Sequence, residues 1–288
     1  MPKRTLTESE SNDLRRALHV ATLEALMASR RWAPGDLAFQ GGTSLHLVHG
    51  SPRFSEDLDF LVRAGIQLDE LGPAIKRRLA GTPWIPVDAE LSVRSAKDDH
   101  NPHNFVVSIS GPGIIGSVKV KVELWKPPAD AISAVKAVVS PVRLASGPAA
   151  GAQAFVPTLE LAEIYADKVF ALVARPKLKA RDVFDLHWLT STTGRKACSV
   201  DAMRVRLATY PNQSAGAWLA QATRRRAELV GARDVIARDL RRWLPSSWPL
   251  DAGSVAQMIE SSVAALDQGV TVMQALADAA SEHAAPGP

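Results

Sequence analysis

Two aspartates, Asp57 and Asp59, close a twenty-residue stretch, GGTSLHLVHGSPRFSEDLDF (41–60), that crowds glycine, hydroxyl, basic and acidic residues together. If DLDFLV (57–62) is a β-strand, alternate residues share a face, so Asp57 and Asp59 project side by side while Leu58 and Phe60 point away. Two carboxylates so close repel each other unless a cation lies between them. Hard oxygen ligands suit Mg²⁺, or Mn²⁺. A bare D-x-D also occurs on exposed strand edges, where acids are harmless, so the pair gains meaning only from its surroundings.

Two neighbouring features supply that meaning. Gly41-Gly42 followed by Thr43-Ser44 reads as a strand-to-helix turn, whose backbone N–H groups and hydroxyls can meet a phosphate at a helix N-terminus. Downstream, SVKVKVELW (117–125) alternates, with Val118, Val120, Val122 and Leu124 on one face and Lys119, Lys121 and Glu123 on the other. If this strand pairs beside 57–62, Glu123 becomes a third carboxylate on the Asp57/Asp59 face. Three carboxylates on adjacent strands beside a glycine turn suit two-metal phosphoryl transfer, with Asp57, Asp59 and Glu123 as ligands.

A second group of charges falls in the later half. On a helix over 158–174, Leu161, Ile164, Lys168 and Leu172 share one stripe, and a lysine there needs an anion or must snorkel to the core's edge. Other reactive residues have plainer readings. His100 and His103 belong to a polar turn, KDDHNPHN; His46 and His49 suit local packing after the glycine turn. His187 faces outward or caps a neighbour, Trp218, Trp243 and Trp248 pack helices, and Cys198 is inert.

The elements that must position these residues follow from periodicity and punctuation. Thr7 and Glu10 form a capping box ahead of an amphipathic helix over 8–30. A short strand, 37–40, ends at the glycine pair, and a short helix over 43–50 stops at Gly50. Strand 57–62, a helix over 69–81, and strands near 84–93, 104–110 and 117–125 come next. SGPAAGAQAF (146–155) reads as a linker, dividing residues 1–150 from 151–288. Beyond it the pattern is helical over 158–174, 181–191, 200–209, 214–243 and 252–281. The class is α+β, with a largely antiparallel or mixed sheet.

Composition narrows the function classes. The 288 residues are 46% apolar and 22% charged, as in soluble globular proteins, and no apolar run is long enough for a membrane span. The polar N-terminus does not read as a signal peptide, and one cysteine excludes an internal disulfide, so the cytoplasm is expected. Against 30 acids stand 34 basic residues, clustered in ARPKLKAR (174–181) and in the arginines between 224 and 242. Such clusters suit a polyanion such as RNA, or a solvated helix face.

Gly41-Gly42-Thr43-Ser44 followed by Asp57-Leu58-Asp59 resembles the first motif of the polymerase-β-like nucleotidyltransferase superfamily. The whole 41–60 stretch is similar to that of the AbiEii-type nucleotidyltransferase toxins, including the mycobacterial MenT group. Members also carry A-E-K or A-D-K and then R-D-x-x-D-L, matched here by Ala166-Asp167-Lys168 and Arg181-Asp182-Val183-Phe184-Asp185-Leu186. The matching segments span about residues 37–190.

The resemblance implies a nucleotidyltransferase domain with a mixed sheet, followed by a helical domain that contributes Lys168 and Asp182 or Asp185 to the site. It implies use of NTP and divalent metal, a tRNA 3′ end as acceptor, and toxicity countered by a cognate antitoxin, as in AbiE-like phage defence. It assigns Asp57 and Asp59 to metal, Ser44 to the triphosphate, and essential roles to Lys168 and to Asp182 or Asp185. Gly42, Thr43, Arg53 and Ser55 could contact the nucleotide, although Arg53 and Ser55 could equally shape the turn. Two rivals stay open: a small-molecule (antibiotic-type) nucleotidyltransferase, and a non-catalytic RNA-binding or antitoxin-like module.

Overall fold

The computed structural model describes all residues except 1–3, 83–84, 86–88, 96–100, 112, 145–146, 195–197, 211–212 and 285–288. The chain forms two compact units. One comprises Met1–Ala129 with Ala137–Leu159, the other Asp130–Lys136 with Glu160–Pro288.

In the first unit, helix α1 (Glu8–Ser29) starts at the expected capping box. Thr7 Oγ1 accepts from Glu10 N–H at 3.2 Å, and Thr7 N–H donates to the Glu10 carboxylate at 2.9 Å. Strand β1 (Leu37–Gln40) leads into α2 (Gly41–Leu47), and β2 (Asp57–Val62) returns antiparallel to β1. Then come α3 (Leu71–Leu79), β3 (Glu90–Ser95), β4 (His103–Ser110) and β5 (Val118–Trp125). After α4 (Ala129–Ala134), which from Asp130 on belongs to the second unit, the first unit resumes with β6 (Ala137–Arg143) and β7 (Gln153–Leu159). The strands form one mixed sheet in the order β3-β4-β5-β2-β1-β7-β6, with β2–β5 and β1–β7 parallel.

One face of this sheet is closed by hydrophobic burial. Leu18, Leu23 and Leu26 of α1 join Phe39, Leu58, Phe60, Phe105, Val122, Leu124 and Val156 in a single core. The rings of Phe39 and Phe60 stack at 5.0 Å between centroids. Each such side chain contributes ~1.5–3 kcal/mol. The alternation of β5 holds: Val118, Val120, Val122 and Leu124 are buried, and Glu123 and Lys121 stand on the opposite face.

Several elements depart from expectation. The stretch read as a linker runs into β7, and β6 and β7 were not foreseen, because Pro141 and Pro157 interrupt their patterns. β6 tolerates Pro141 because it lies at the sheet edge, where half its backbone needs no ladder partner. His103 opens β4 rather than sitting in a turn, and His100 lies outside the described residues. The strand expected near 84–93 begins at Glu90, its earlier part falling mostly outside the described residues.

The second unit is helical: α5 (Leu161–Ala174), α6 (Ala180–Thr193), α7 (Val200–Thr209), α8 (Ala215–Gly231), α9 (Arg233–Leu240) and α10 (Ala252–Ala284). The single helix expected over 214–243 is broken at Ala232, whose φ −96 and ψ 12 leave the helical region. Gly269 lets α10 approach α5 and α8: a Cβ there would lie 2.6 Å from Val169 Cγ1 and 3.1 Å from the Trp218 ring. Trp218 is fully buried and donates its indole N–H to the Phe170 carbonyl at 3.1 Å.

Candidate active site

The parallel register of β2 and β5 sets Asp59 opposite Glu123 and Asp57 opposite Lys121. The expected pairing therefore exists, and Asp57, Asp59 and Glu123 occupy one face of two adjacent strands. Lys121 stands among them. Its ammonium is hydrogen-bonded to Glu123 Oε1, and that bond, with the charges of Glu123, Asp57 and Asp59, raises it above the ordinary lysine value against the opposing effect of burial. The sequence pattern placed Lys121 on this face without assigning it a role.

Among the described residues no three His, Cys, Asp or Glu side chains are gathered as a ready metal cage. Glu123, engaged by Lys121, does not close around the Asp57/Asp59 pair. The donor chemistry nonetheless fits a hard divalent ion: Asp57 and Asp59 are same-face carboxylates, and the Lys121 ammonium shows that the face already draws a cation. Asp57 and Asp59 fit as the metal-holding pair, with Glu123 as a third ligand only when released from Lys121.

The glycine turn is shaped by what lies over it. Gly41 has φ +78°, and a Cβ there would run into the Asp59 carboxylate, 3.2 Å from its Cγ. A Cβ on Gly42 would strike the Arg53 guanidinium and come within 3.1 Å of Ser55 Oγ. Both glycines are thus required, one by conformation and approach, the other by approach alone. Arg53 is 2% exposed and donates from Nη1 to the Phe54 carbonyl at 2.8 Å, so its packing against Gly42 shapes the turn.

The hydroxyls of this turn face inward. Ser44 is fully buried, its Oγ 2.6 Å from Thr158 Oγ1, which in turn donates to the Phe39 carbonyl at 3.1 Å. Thr43 is equally buried and donates to the carbonyl of Asp57. In this arrangement the Ser44 hydroxyl is turned to Thr158, and the first-turn N–H groups have no partner within the helix. Sequence spacing reveals which residues flank a turn; it does not reveal which way a short hydroxyl side chain points.

In the second unit Lys168, Asp182 and Asp185 come together. Lys168 is 5% exposed, with Nζ 2.9 Å from Asp182 Oδ1 and 2.8 Å from Asp185 Oδ2. Arg175 Nη1 adds a contact of 2.9 Å to Asp182 Oδ2. Burial alone would raise Asp182; the charges of Lys168 and Arg175 outweigh it and hold the carboxyl below the usual aspartate value. The inward lysine has its anions, and both aspartates supply them. A second buried network was not anticipated. Arg206 donates to the Glu163 carbonyl at 2.7 Å and pairs with its carboxylate, while Tyr210 donates to Asp167 Oδ1 at 2.8 Å. Its signal was faint, since Glu163 and Arg206 are 43 residues apart.

The basic stretch at 224–226 is less available than its sequence suggests. Arg225 is buried, bonded to Glu228 and to the Arg175 carbonyl, and Arg226 pairs with Asp267 at 3.1 Å. Arg224, Arg233, Arg238 and Arg241 remain exposed. The minor candidates behave as expected. His187 Nδ1 lies 3.0 Å from Ser261 Oγ, Trp248 packs edge-on to Phe184 at 5.5 Å, and burial pushes the Cys198 thiol up to about 12.

No curated protein matches the chain. Among solved structures it is similar to MenT4, a nucleotidyltransferase toxin from Mycobacterium tuberculosis H37Rv, at 17% identity and a TM-score of 0.57, covering 93% of this chain and 89% of that one. It is likewise similar to JHP933 from Helicobacter pylori, at 18% identity and a TM-score of 0.53, covering 94% and 99%. At such identities the likeness speaks for the fold. The family described as nucleotidyl transferase AbiEii toxin, type IV TA system, matches residues 25–247. That match takes in both the acidic face and the Lys168 cluster, and the chain belongs to the AbiEii nucleotidyltransferase toxin family.

Proposed function

We propose that this nucleotidyltransferase moves nucleoside monophosphate units from NTP to an RNA acceptor, the tRNA 3′ end being the acceptor class the family suggests. The observation that carries the reading is the β2–β5 register, which sets Asp57, Asp59 and Glu123 on one face beside the Gly41-Gly42 turn. Asp57 and Asp59 would hold Mg²⁺ or Mn²⁺, which when bound there neutralises the triphosphate and lowers the pKa of the acceptor hydroxyl. The residues of the chain do the positioning. The first-turn N–H groups at Gly41 and Gly42 face the phosphates, Glu123 is placed to accept the acceptor's proton, and Lys121 to balance charge as the pyrophosphate leaves. Lys168 we assign to holding Asp182 and Asp185 rather than to phosphate, on the strength of its burial.

Membership of a toxin–antitoxin family implies an antitoxin partner. No described helix is long and apolar enough to cross a membrane, and we place the activity in the cytoplasm. A small-molecule acceptor is the second reading, favoured by the internal pairing of Arg225 and Arg226, which weakens the case for a polyanion. Labelled NTP incubated with total RNA, with and without Mg²⁺, tests both. Metal-dependent label in RNA that disappears in Asp57→Asn supports the first; label found only on small acceptors supports the second.

A further inference from the structure

A buried histidine stands behind the acidic pair. His19 of α1 is 1% exposed, and its Nε2 lies 2.9 Å from the carbonyl oxygen of Glu56, the residue before Asp57. A carbonyl only accepts, so Nε2 carries the proton and Nδ1 is a bare acceptor. Among the described residues Nδ1 has no hydrogen-bond partner. Burial pushes the ring down to about 3, so it stays neutral under ordinary conditions. A neutral imidazole with one nitrogen unsatisfied is a poor filler for a helix-sheet core, since an orphaned buried acceptor costs stability where leucine or methionine would not.

What the ring achieves is local. Its bond fixes the peptide plane between Glu56 and Asp57, while Thr43 Oγ1 of α2 donates to the next carbonyl, that of Asp57 itself. The two planes flank the Asp57 Cα, so anchoring both fixes its φ and ψ and hence the direction of its Cβ. Arg15, one turn before His19 on α1, lies 3.9 Å from the Glu56 carboxylate and steadies the same residue. The start of β2 is thus held between two helices at the point where the first carboxylate emerges.

We propose that His19 is a positioning residue of the nucleotidyl-transfer site, aiming Asp57 by clamping the Glu56 carbonyl. The proposal rests on the reading of Asp57 and Asp59 as a metal-holding pair. His19 lies outside the segment matched by the family, residues 25–247.

The test uses the full chain with H19L, which keeps bulk and removes the donor, and H19Q, which returns an N–H near the Nε2 position. Mn²⁺ affinity is measured by electron paramagnetic resonance, with turnover and KM for NTP alongside denaturant midpoints. H19L is expected to bind Mn²⁺ roughly tenfold more weakly and to lose turnover by a similar factor, as when outer supports of a metal site are removed, with KM little changed. H19Q is expected to recover most of both. If H19L and H19Q match the wild type in Mn²⁺ affinity and turnover, or fail only in proportion to unfolded protein, His19 is a core residue and the proposal falls. Failure of H19L to fold overturns it equally. Wild-type protein whose Mn²⁺ binding is absent, or unchanged in D57N, overturns instead the reading of the acidic face on which the proposal stands.

Discussion

Replacing Lys168 by methionine separates a phosphate-binding lysine from an ion-paired one. The ammonium lies within 2.9 Å of two carboxylates, and the side chains of Lys168, Asp182 and Asp185 are 7%, 2% and 0% exposed. Two positive groups, Lys168 and Arg175, balance two negative ones, and Arg175, 43% exposed, contacts Asp182 at 2.9 Å. K168M therefore leaves Asp185 without its ammonium in the interior. Breaking a buried pair in this way costs about 3–5 kcal/mol, a large part of the ~5–15 kcal/mol that holds a typical domain. At a slope of ~2–3 kcal/mol per M that is a shift of roughly 1–2.5 M in urea midpoint, followed by circular dichroism.

The double variant K168M/D185N exchanges the pair for neutral groups and should lie ~1–3 kcal/mol above the sum of the single effects. The pH dependence has a defined sign. Asp182 is held below its unfolded value, so its contribution is present above about pH 4 and is lost as pH falls through the folded pKa. In K168M the carboxylates are instead relieved by protonation, so its deficit should shrink between pH 7 and pH 5. A K168M protein with the wild-type midpoint and abolished NTP affinity would refute the reasoning and return Lys168 to the phosphates.

D57N and D59N should each abolish nucleotide transfer while changing stability by no more than about 0.5 kcal/mol, because both side chains stand on the half-exposed face; full activity in either folded variant sinks the metal-pair reading. K121M removes the cation held by Glu123 and frees that carboxylate, so Mn²⁺ should bind more tightly, by roughly threefold or more for a partly exposed pair; unchanged binding marks Lys121 as a solvated partner only. R224E should lower the slope of log K against log salt for RNA binding by ~0.7–0.9, whereas R226E should act chiefly through its Asp267 pair and R225A through stability; an unchanged slope in R224E moves the RNA elsewhere. His19, held near 3 against a usual 6.5, stabilises the fold fully above about pH 6.5 and progressively less below it, by up to ~4–5 kcal/mol, and H19Q should flatten this acid dependence of the unfolding midpoint.

Much of the acidic face was legible because it depends on periodicity. The alternation of SVKVKVELW required Glu123 and Lys121 to oppose the buried valines, and D-x-D required its two acids to share a face. Register was the missing quantity, and the structure supplies it as Asp59 opposite Glu123. The strands β6 and β7 were illegible for the converse reason. Pro141 and Pro157 break the run, and only sheet position shows that β6, which carries Pro141, is an edge strand that tolerates it. Side-chain direction was legible where a helix fixes it, as in the inward stripe of Lys168. It was not legible for Ser44, whose Oγ turns to Thr158, 114 residues away.

The same distinction explains why the basic and acidic residues met different fates. A charge read from sequence is a formal quantity; what matters for a partner is the charge left after internal pairing. Arg225 and Arg226 look available in sequence, and both are engaged by carboxylates in the helical unit. On β2 and β5 the balance runs the other way. Three carboxylates, Asp57, Asp59 and Glu123, stand with the ammonium of Lys121 drawn toward them. By formal count these four groups sum to −2, and the exposed Lys119 farther along the same face of β5 lowers this to −1, an excess that a divalent ion at Asp57 and Asp59 would neutralise without displacing Lys121. A cation demand of this size at one surface, rather than the total of +4 over the chain, is the electrostatic feature suited to nucleotide chemistry.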